Sequence, residues 1–502
     1  MSGRKADAAD DLRRTLEEAG VPSPAVAATP PRRQLPDPVG HGAAAVAGAT
    51  PPPALPPEAL PAALTAAPAQ SGGASPAAAS IAERRRGERR ANWLGRPGGN
   101  ASGQERSGGL RGRRRTARVP RLLERGLRRV TEAPLIGGNA ATLLVDAPAA
   151  YPAMLDMIAS AQHTVCFENY IFRDDEVGRR FAEALMARAR AGVSVRIIYD
   201  WLGSLHTSSG MWKQLRKAGC ELRSFGGPSL RRPGRVFTRD HRKLLVVDGR
   251  AGIVGGFCIG AEWEDDRGLG CWRDTAVRVE GPVGIELERA FARIWRIAGG
   301  EMPDPARVET PPHPIGDVAI RVVDGPPAHA RTYRLYQLLS ALAERTLYVT
   351  GAYPLAPTAL RRALVSAAHA GVDVRLLVPN RSDLRILNQA ARAHYTRLLR
   401  NGVRIYLWNG PMLHAKTLVV DGLLALVGSS NLNPFSMLGC YELDLQLQDP
   451  GIAGALQRQF LLDLERAREL TLDTWKKRPR SERVAERLGA GVLWLPYKLY
   501  SG

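Results

Sequence analysis

Two short stretches of this chain carry the same chemistry at the same spacing. "HRKLLVVDGRAGIVGG" supplies His241, Lys243 and Asp248, and 173 residues later "HAKTLVVDGLLALVGSS" supplies His414, Lys416 and Asp421. In both, four residues with strand character separate Lys from Asp, and Asp-Gly leads into another apolar run. Such a run bounded by a turn dipeptide reads as a hairpin. A chain that spells H-x-K-x4-D-G twice is constrained to be a duplicated unit.

The surroundings repeat as well. "HTVCFENYIF", "VGRRFAEALMARARAG", "VSVRIIYDW", "SSGMWKQLRKAG" and "CELRSF" alternate strand and helix patterns ahead of the first motif, and "RTLYVTGAY", "TALRRALVSAAHAG", "VDVRLLVPN", "ARAHYTRLLRNG" and "VRIYLW" do so ahead of the second. Matching "AGVSVRIIYD" to "AGVDVRLLVP" and "LRKAGCELRSF" to "LLRNGVRIYLW" takes offsets of 179 and 183, and the loop "GGPSLRRPGR" of the first half accounts for the difference from 173. This is an internal duplication of an α/β unit. The fold class expected is therefore α/β, two similar domains packed as a pseudo-twofold dimer within one chain, with a site between them.

On a strand, residues two apart share a face, so each His and its Lys point the same way. An imidazole and an ammonium then converge on one small region. The chain holds 62 Arg against eight Lys, yet both motif positions are Lys, which selects a compact point charge. The chemistry that fits is attack on a phosphodiester: one His as a neutral nucleophile, the other as acid and then base, and the lysines on the non-bridging oxygens. Asp248 and Asp421, at the hairpin turns, are expected to brace Lys or backbone. There is no H-E-x-x-H, no Walker-type loop and no Cys pair at ligand spacing among Cys166, Cys220, Cys258, Cys271 and Cys440. No metal and no cofactor are expected.

The paired motifs, the trailing "GSSN" and the duplicated α/β unit resemble the phospholipase D superfamily over about residues 135 to 470. "LIGGNAATLLVDAPAAYPAMLDMIASAQHTVCFENYIF", "HRKLLVVDGRAGIVGGFCIGAEW", "CWRDTAVRVEGPV" and "LVGSSNLNPFSM" are most similar to bacterial cardiolipin synthases of the short type without transmembrane helices. The resemblance implies a phosphatidyl transfer through a phosphohistidine, with His241 as nucleophile and His414 as acid and base. Asp274 and Glu442, 33 and 28 residues after the histidines, would be the carboxylates that hold the far ring nitrogens. Asn431 and Ser429 of "GSSN" would bind phosphate. In the first half Cys258 stands where that pattern expects Asn, and a thiol is a weak donor.

Charge points to an anionic partner. The net charge is +21, and residues 83 to 129 alone hold 16 Arg against four Glu. An anionic phospholipid surface with phosphatidylglycerol as substrate is the partner expected, with no nucleic acid and no obligate protein partner. A phospholipase D-type hydrolase and a nuclease of the same superfamily are the alternative activities. The N-terminus has charges where a secretory signal needs an apolar core, and no run of about 18 apolar residues occurs, so a peripheral protein on the cytoplasmic face of a bacterial inner membrane is expected. The chain divides into a disordered Ala/Pro- and Arg-rich leader (1–115), a basic amphipathic segment (116–134), the two phospholipase D-like domains (135–310 and 311–470) and a basic, aromatic tail (471–502). In the amphipathic segment Val119, Leu122, Leu123, Leu127 and Val130 recur at helical spacing, a face suited to an anionic bilayer. Trp494, Tyr497, Lys498 and Tyr500 give the tail the composition of an interfacial anchor.

Overall fold

The computed structural model describes residues 121–486, 488 and 489, apart from 228–237, 266–267, 304–311 and 328. The leader and the aromatic end of the tail lie outside the described residues. The first half contributes β1 (Ile136–Val145), β2 (Thr164–Asn169), β3 (Ser194–Asp200), β4 (Glu221–Phe225), β5 (Arg239–Asp240), β6 (Leu244–Val247), β7 (Ala251–Gly255) and β8 (Thr275–Glu280). The second contributes β9 (Val318–Gly325), β10 (Thr346–Thr350), β11 (Asp373–Pro379), β12 (Arg404–Trp408), β13 (Thr417–Val420), β14 (Leu424–Gly428), β15 (Cys440–Gln448) and β16 (Ala467–Leu470).

These strands form one sheet whose order repeats from each edge toward the middle. β4-β3-β2-β6-β7-β8-β1 meets β12-β11-β10-β13-β14-β15-β9, and β16 adds an edge beside β12. The seam is short: β1 and β9 pair antiparallel through Ile136↔Ile320 and Asn139↔Val318. In each half the first three strands are parallel and the motif hairpin is antiparallel to them. The strands β6 (LLVV) and β13 (TLVV) are buried throughout, as continuous apolar runs must be when both faces of a sheet are covered.

Three apolar clusters account for that cover. One lies in the first half around Tyr151, Phe167, Phe181 and Trp212, and one in the second around Tyr336, Leu360, Tyr395 and Leu418. The third is shared: helix Val283–Ile297 supplies Leu287, Phe291 and Trp295, and helix Pro450–Glu465 supplies Leu456 and Phe460, to a core containing strand residues of both halves. One hydrophobic core thus holds the halves in register.

The amphipathic segment is used differently from expectation. Helix Arg121–Thr131 buries Leu127 completely and packs Leu123 and Val130 against the second-half core, while Glu124 pairs with the buried Arg321. Only Leu122 of its described apolar residues is exposed, at 79%. Its apolar stripe faces the protein, so the bilayer assignment is corrected for residues 121–131. The expected tail also begins later than residue 471. Trp475 is buried against Tyr395 and its indole N–H donates to Thr396 Oγ1 at 3.1 Å, so helix Leu472–Lys476 belongs to the second half.

Candidate active site

Each motif histidine is suspended from the opposite half of the chain. β5 pairs in parallel with the first residues of β15, Arg239 with Cys440 and Asp240 with Tyr441, and the His241 N–H donates to the Tyr441 carbonyl at 3.0 Å. Its counterpart is a parallel bridge between Leu413 and Arg273, where the His414 N–H donates to the Arg273 carbonyl at 2.8 Å. The carboxylates follow one residue on. His241 Nδ1 lies 3.1 Å from both oxygens of Glu442, and His414 Nδ1 lies 2.7 Å from Asp274 Oδ2. The dyads are therefore crossed between halves, with partners 201 and 140 residues apart in sequence. The 33- and 28-residue spacings do not say which histidine each carboxylate serves, and each serves the one in the opposite half.

With Nδ1 of each ring held by a carboxyl group, Nε2 is the ring atom left to meet a ligand. Both lysines bend back on their own histidines: Lys243 Nζ donates to the His241 carbonyl at 2.5 Å, and Lys416 Nζ donates to the His414 carbonyl. An ammonium has three donors, so each retains two for a ligand. Lys243 also sits 5.2 Å above the Tyr170 ring, which packs edge-on to His241 at 5.0 Å. Around His414 stand Trp263, Trp272 and Tyr353, with ring centroids at 5.4, 5.6 and 6.3 Å.

The two dyads are electrostatically unlike. Burial would raise the Asp274 carboxyl, yet His414 and Lys416 bring it down to about 2, and it also accepts from Trp263 Nε1 at 3.0 Å and from the Thr275 N–H at 2.8 Å. Glu442 is pushed up to about 8 by burial, which outweighs Lys243 and the hydroxyls of Ser429 and Ser436. Burial, Lys243 and Lys416 hold His241 well below the usual imidazole range, and burial and Lys416 hold His414 at about 4. Burial brings Lys416 itself to about 8. At neutral pH the resting site therefore presents two neutral imidazoles, one firm carboxylate and a surplus of positive charge.

Asp248 and Asp421 do not join this cluster. Each sits at the far end of its motif strand with a left-handed backbone (φ +52° and +54°), followed by a glycine that is also left-handed. The Asp248 carboxylate accepts from the N–H groups of Gln162, His163 and Thr164, and Asp421 does the same for Glu344, Arg345 and Thr346. Both carboxylates tie a hairpin to the start of the neighbouring strand, away from the two histidines. Ser429 is likewise committed to Glu442 and Leu443 rather than facing a ligand, and Ser430 to Asp444. Asn431 is buried with an unpartnered Oδ1. Cys258 is 1% exposed within the first-half core, its thiol pushed up by burial and its carbonyl accepting from Tyr151.

Residues that sequence reasoning missed lie on the reverse of the first motif strand. Arg242, fully buried, is 3.2 Å from Glu168 and 3.4 Å from Asp324 of the other half, and Asp240 is buried beside them. The alternation in "RDHRK" was the available signal, since Asp240 and Arg242 must face away from His241 and Lys243. The second half places Leu413 and Ala415 at these positions, so the charged bed is peculiar to His241 among the described residues.

A mirrored sheet with two crossed histidine–carboxylate dyads and two buried lysines defines a duplicated phosphoryl-transfer enzyme of the phospholipase D type. Residues 154–295 and 337–464 match the family described as "Cardiolipin synthase, PLD-like domain". The chain belongs to that family and is a phospholipase D-superfamily phosphatidyltransferase of the cardiolipin synthase kind. It is 33% identical over 374 residues to cardiolipin synthase A of Pseudomonas aeruginosa, covering 73% of this chain and 75% of that one. It is also 31% identical over 373 residues to cardiolipin synthase of Alkalihalophilus pseudofirmus, covering 73% and 74%. The solved phosphatidylserine synthase of Haemophilus influenzae shares the fold, with a TM-score of 0.59 at 12% identity over 74% of this chain and 98% of that chain.

Proposed function

We propose that this phosphatidyltransferase makes cardiolipin from two molecules of phosphatidylglycerol, with glycerol as the other product, through a phosphohistidine and without a metal ion. The crossed dyads carry this reading. His241 Nε2 attacks the phosphorus of the first phosphatidylglycerol, and the bond to the glycerol oxygen breaks in line. The departing alkoxide takes a proton from His414 Nε2. A hydroxyl of a second phosphatidylglycerol then gives its proton to His414 and attacks the phosphohistidine, which frees His241.

The assignment of roles follows from the unlike carboxylates. An imidazolium needs a full negative charge beside it, and Asp274, held at about 2, supplies one to His414. Glu442, pushed up to about 8, favours a neutral His241, the form that can attack. The phosphodiester anion brings the missing charge: seated between Lys243 and Lys416, it offsets the repulsion that keeps His414 near 4 and lets that ring load its proton. The two ammonium groups also stabilise the charge that builds on the non-bridging oxygens, the work a metal ion does elsewhere. The setting we propose is peripheral, on the cytoplasmic face of a phosphatidylglycerol-containing membrane.

The test is mass spectrometry of lipids formed from phosphatidylglycerol vesicles, with His241→Ala and His414→Ala as controls. Cardiolipin from the unaltered protein alone supports the proposal, and phosphatidic acid as the sole product overturns the choice of acceptor. An acid-labile, base-stable phosphate on the protein is expected to vanish in His241→Ala. Activity abolished by EDTA and restored by one metal would refute the metal-free route.

A further inference from the structure

Fourteen large apolar side chains are exposed among the described residues, and six of them share one setting. Leu202, Leu205, Leu269, Leu384, Ile386 and Phe435 are all exposed, Leu269 at 72%, and all six stand in or beside loops that leave the strands where the histidines lie. Each loop is tied to a residue in contact with a histidine or its carboxylate.

Leu202 and Leu205 belong to the turn after β3, which Ser204 fixes by donating to the Tyr170 carbonyl at 3.2 Å, and Tyr170 packs on His241. Leu269 lies between Gly268 and Gly270, whose N–H groups both donate to the Asp265 carboxylate, and three residues before Trp272 of the His414 cage. Leu384 and Ile386 follow Asp383, which accepts the Tyr353 hydroxyl at 2.8 Å, and Tyr353 faces His414. Phe435 precedes Ser436, which donates to Glu442. Four separate loops, two from each half, thus carry exposed apolar side chains beside residues that contact the two histidine dyads. Arg381 and Arg385 are exposed among them, and neither pairs with a carboxylate among the described residues.

We infer that this fringe, made by Leu202, Leu205, Leu269, Leu384, Ile386 and Phe435, is the surface by which the protein docks on an anionic phospholipid bilayer. No helix among the described residues is long and apolar enough to cross a membrane, so a lipid substrate is reached through a surface. Apolar side chains flanked by arginines suit the boundary of acyl chains and anionic headgroups. Inserted to that depth, the fringe sets the site beneath it at the level of lipid phosphates. The docking inference rests on the phosphatidyltransferase reading only for what happens beneath the fringe.

The experiment uses the full chain and vesicles of phosphatidylglycerol and phosphatidylcholine, comparing the unaltered protein with a Leu202→Ser/Leu384→Ser/Ile386→Ser variant. Leu423→Ser, an exposed leucine beside the Asp421 turn at the other end of the strands, is the control. Sedimentation with vesicles should fall by about 10- to 100-fold in the triple variant and stay unchanged in the control, given the apolar area withdrawn from the bilayer. Product formation on vesicles should fall in parallel, while turnover of short-chain phosphatidylglycerol below its micelle concentration should be retained. Undiminished vesicle binding overturns the inference, and equal loss on both substrates means that the fringe shapes the site instead. A dimer that falls to a monomer with unchanged vesicle binding would assign the fringe to a second copy of the chain. Should the unaltered protein bind vesicles through the fringe yet form no cardiolipin, docking stands and the proposed reaction fails.

Discussion

Replacing Asp248 separates architecture from chemistry in the repeated motif. The carboxylate accepts three N–H groups, from Gln162 at 2.9 Å, His163 at 2.8 Å and Thr164 at 2.7 Å, on a residue with φ of +52°. In Asp248→Ala three charge-assisted bonds are lost. Water reaches two of the freed donors, so the net cost is about 1 kcal/mol each, and a left-handed alanine adds about 1 kcal/mol. The sum is about 4 kcal/mol, which for a folded unit of this size lowers the midpoint of thermal unfolding by about 5 °C. Asp248→Asn tolerates the backbone and keeps one acceptor, so it should cost about 1 to 2 kcal/mol. Because no atom of Asp248 reaches the histidines, kcat/KM of folded Asp248→Asn should stay within about threefold of the unaltered protein. The assay pairs unfolding curves with phosphatidyl transfer measured well below the midpoint. A loss on the order of 100-fold in protein that is demonstrably folded would refute the reasoning.

Four further outcomes follow from the same geometry. A Cβ on Gly256 would stand 2.0 Å from Asp274 Oδ1, so Gly256→Ala should displace the His414 partner and lower kcat on the order of 100-fold in a folded protein. Asp274→Asn removes the charge that supports a protonated His414 and should cost on the order of 1,000-fold or more at pH 7, whereas Glu442→Gln replaces a carboxyl that already tends to keep its proton and should cost about tenfold or less; equal losses would contradict the unlike dyads. Lys416, brought down to about 8, carries its charge below that pH and loses it above, so kcat/KM should fall as pH rises past about 8 and should still do so in Glu442→Gln; a flat profile to pH 10 would be inconsistent with that. Asp324→Ala leaves Arg242 buried without one of its two carboxylates and should destabilise the protein by about 3 to 5 kcal/mol, read by denaturant unfolding.

The alternation of strands and helices and the Asp-Gly hairpins were legible because they depend on local periodicity, and the duplication doubled every signal. Spacing could not reveal that Glu442 serves His241 and Asp274 serves His414, since both carboxylates occupy the same place in their repeats and only the seam decides which ring each meets. The family resemblance of "GSSN" places Ser429 on phosphate, but its hydroxyl is taken by the buried Glu442, as that of Ser430 is by Asp444. Amphipathicity in residues 121–131 showed that one face is buried and could not show against what. The apolar fringe was invisible for the opposite reason: its members come from four loops with no common period.

Each histidine is held by a carboxylate that arrives with the other half of the chain. A chain emerging from the ribosome with its first 300 residues complete holds His241, Lys243 and Asp274 but neither Glu442 nor His414. In the mechanism we propose, such an intermediate neither orients the His241 nucleophile nor protonates the leaving group. Both dyads of the proposed mechanism are thus assembled only when the last strands of the sheet have closed.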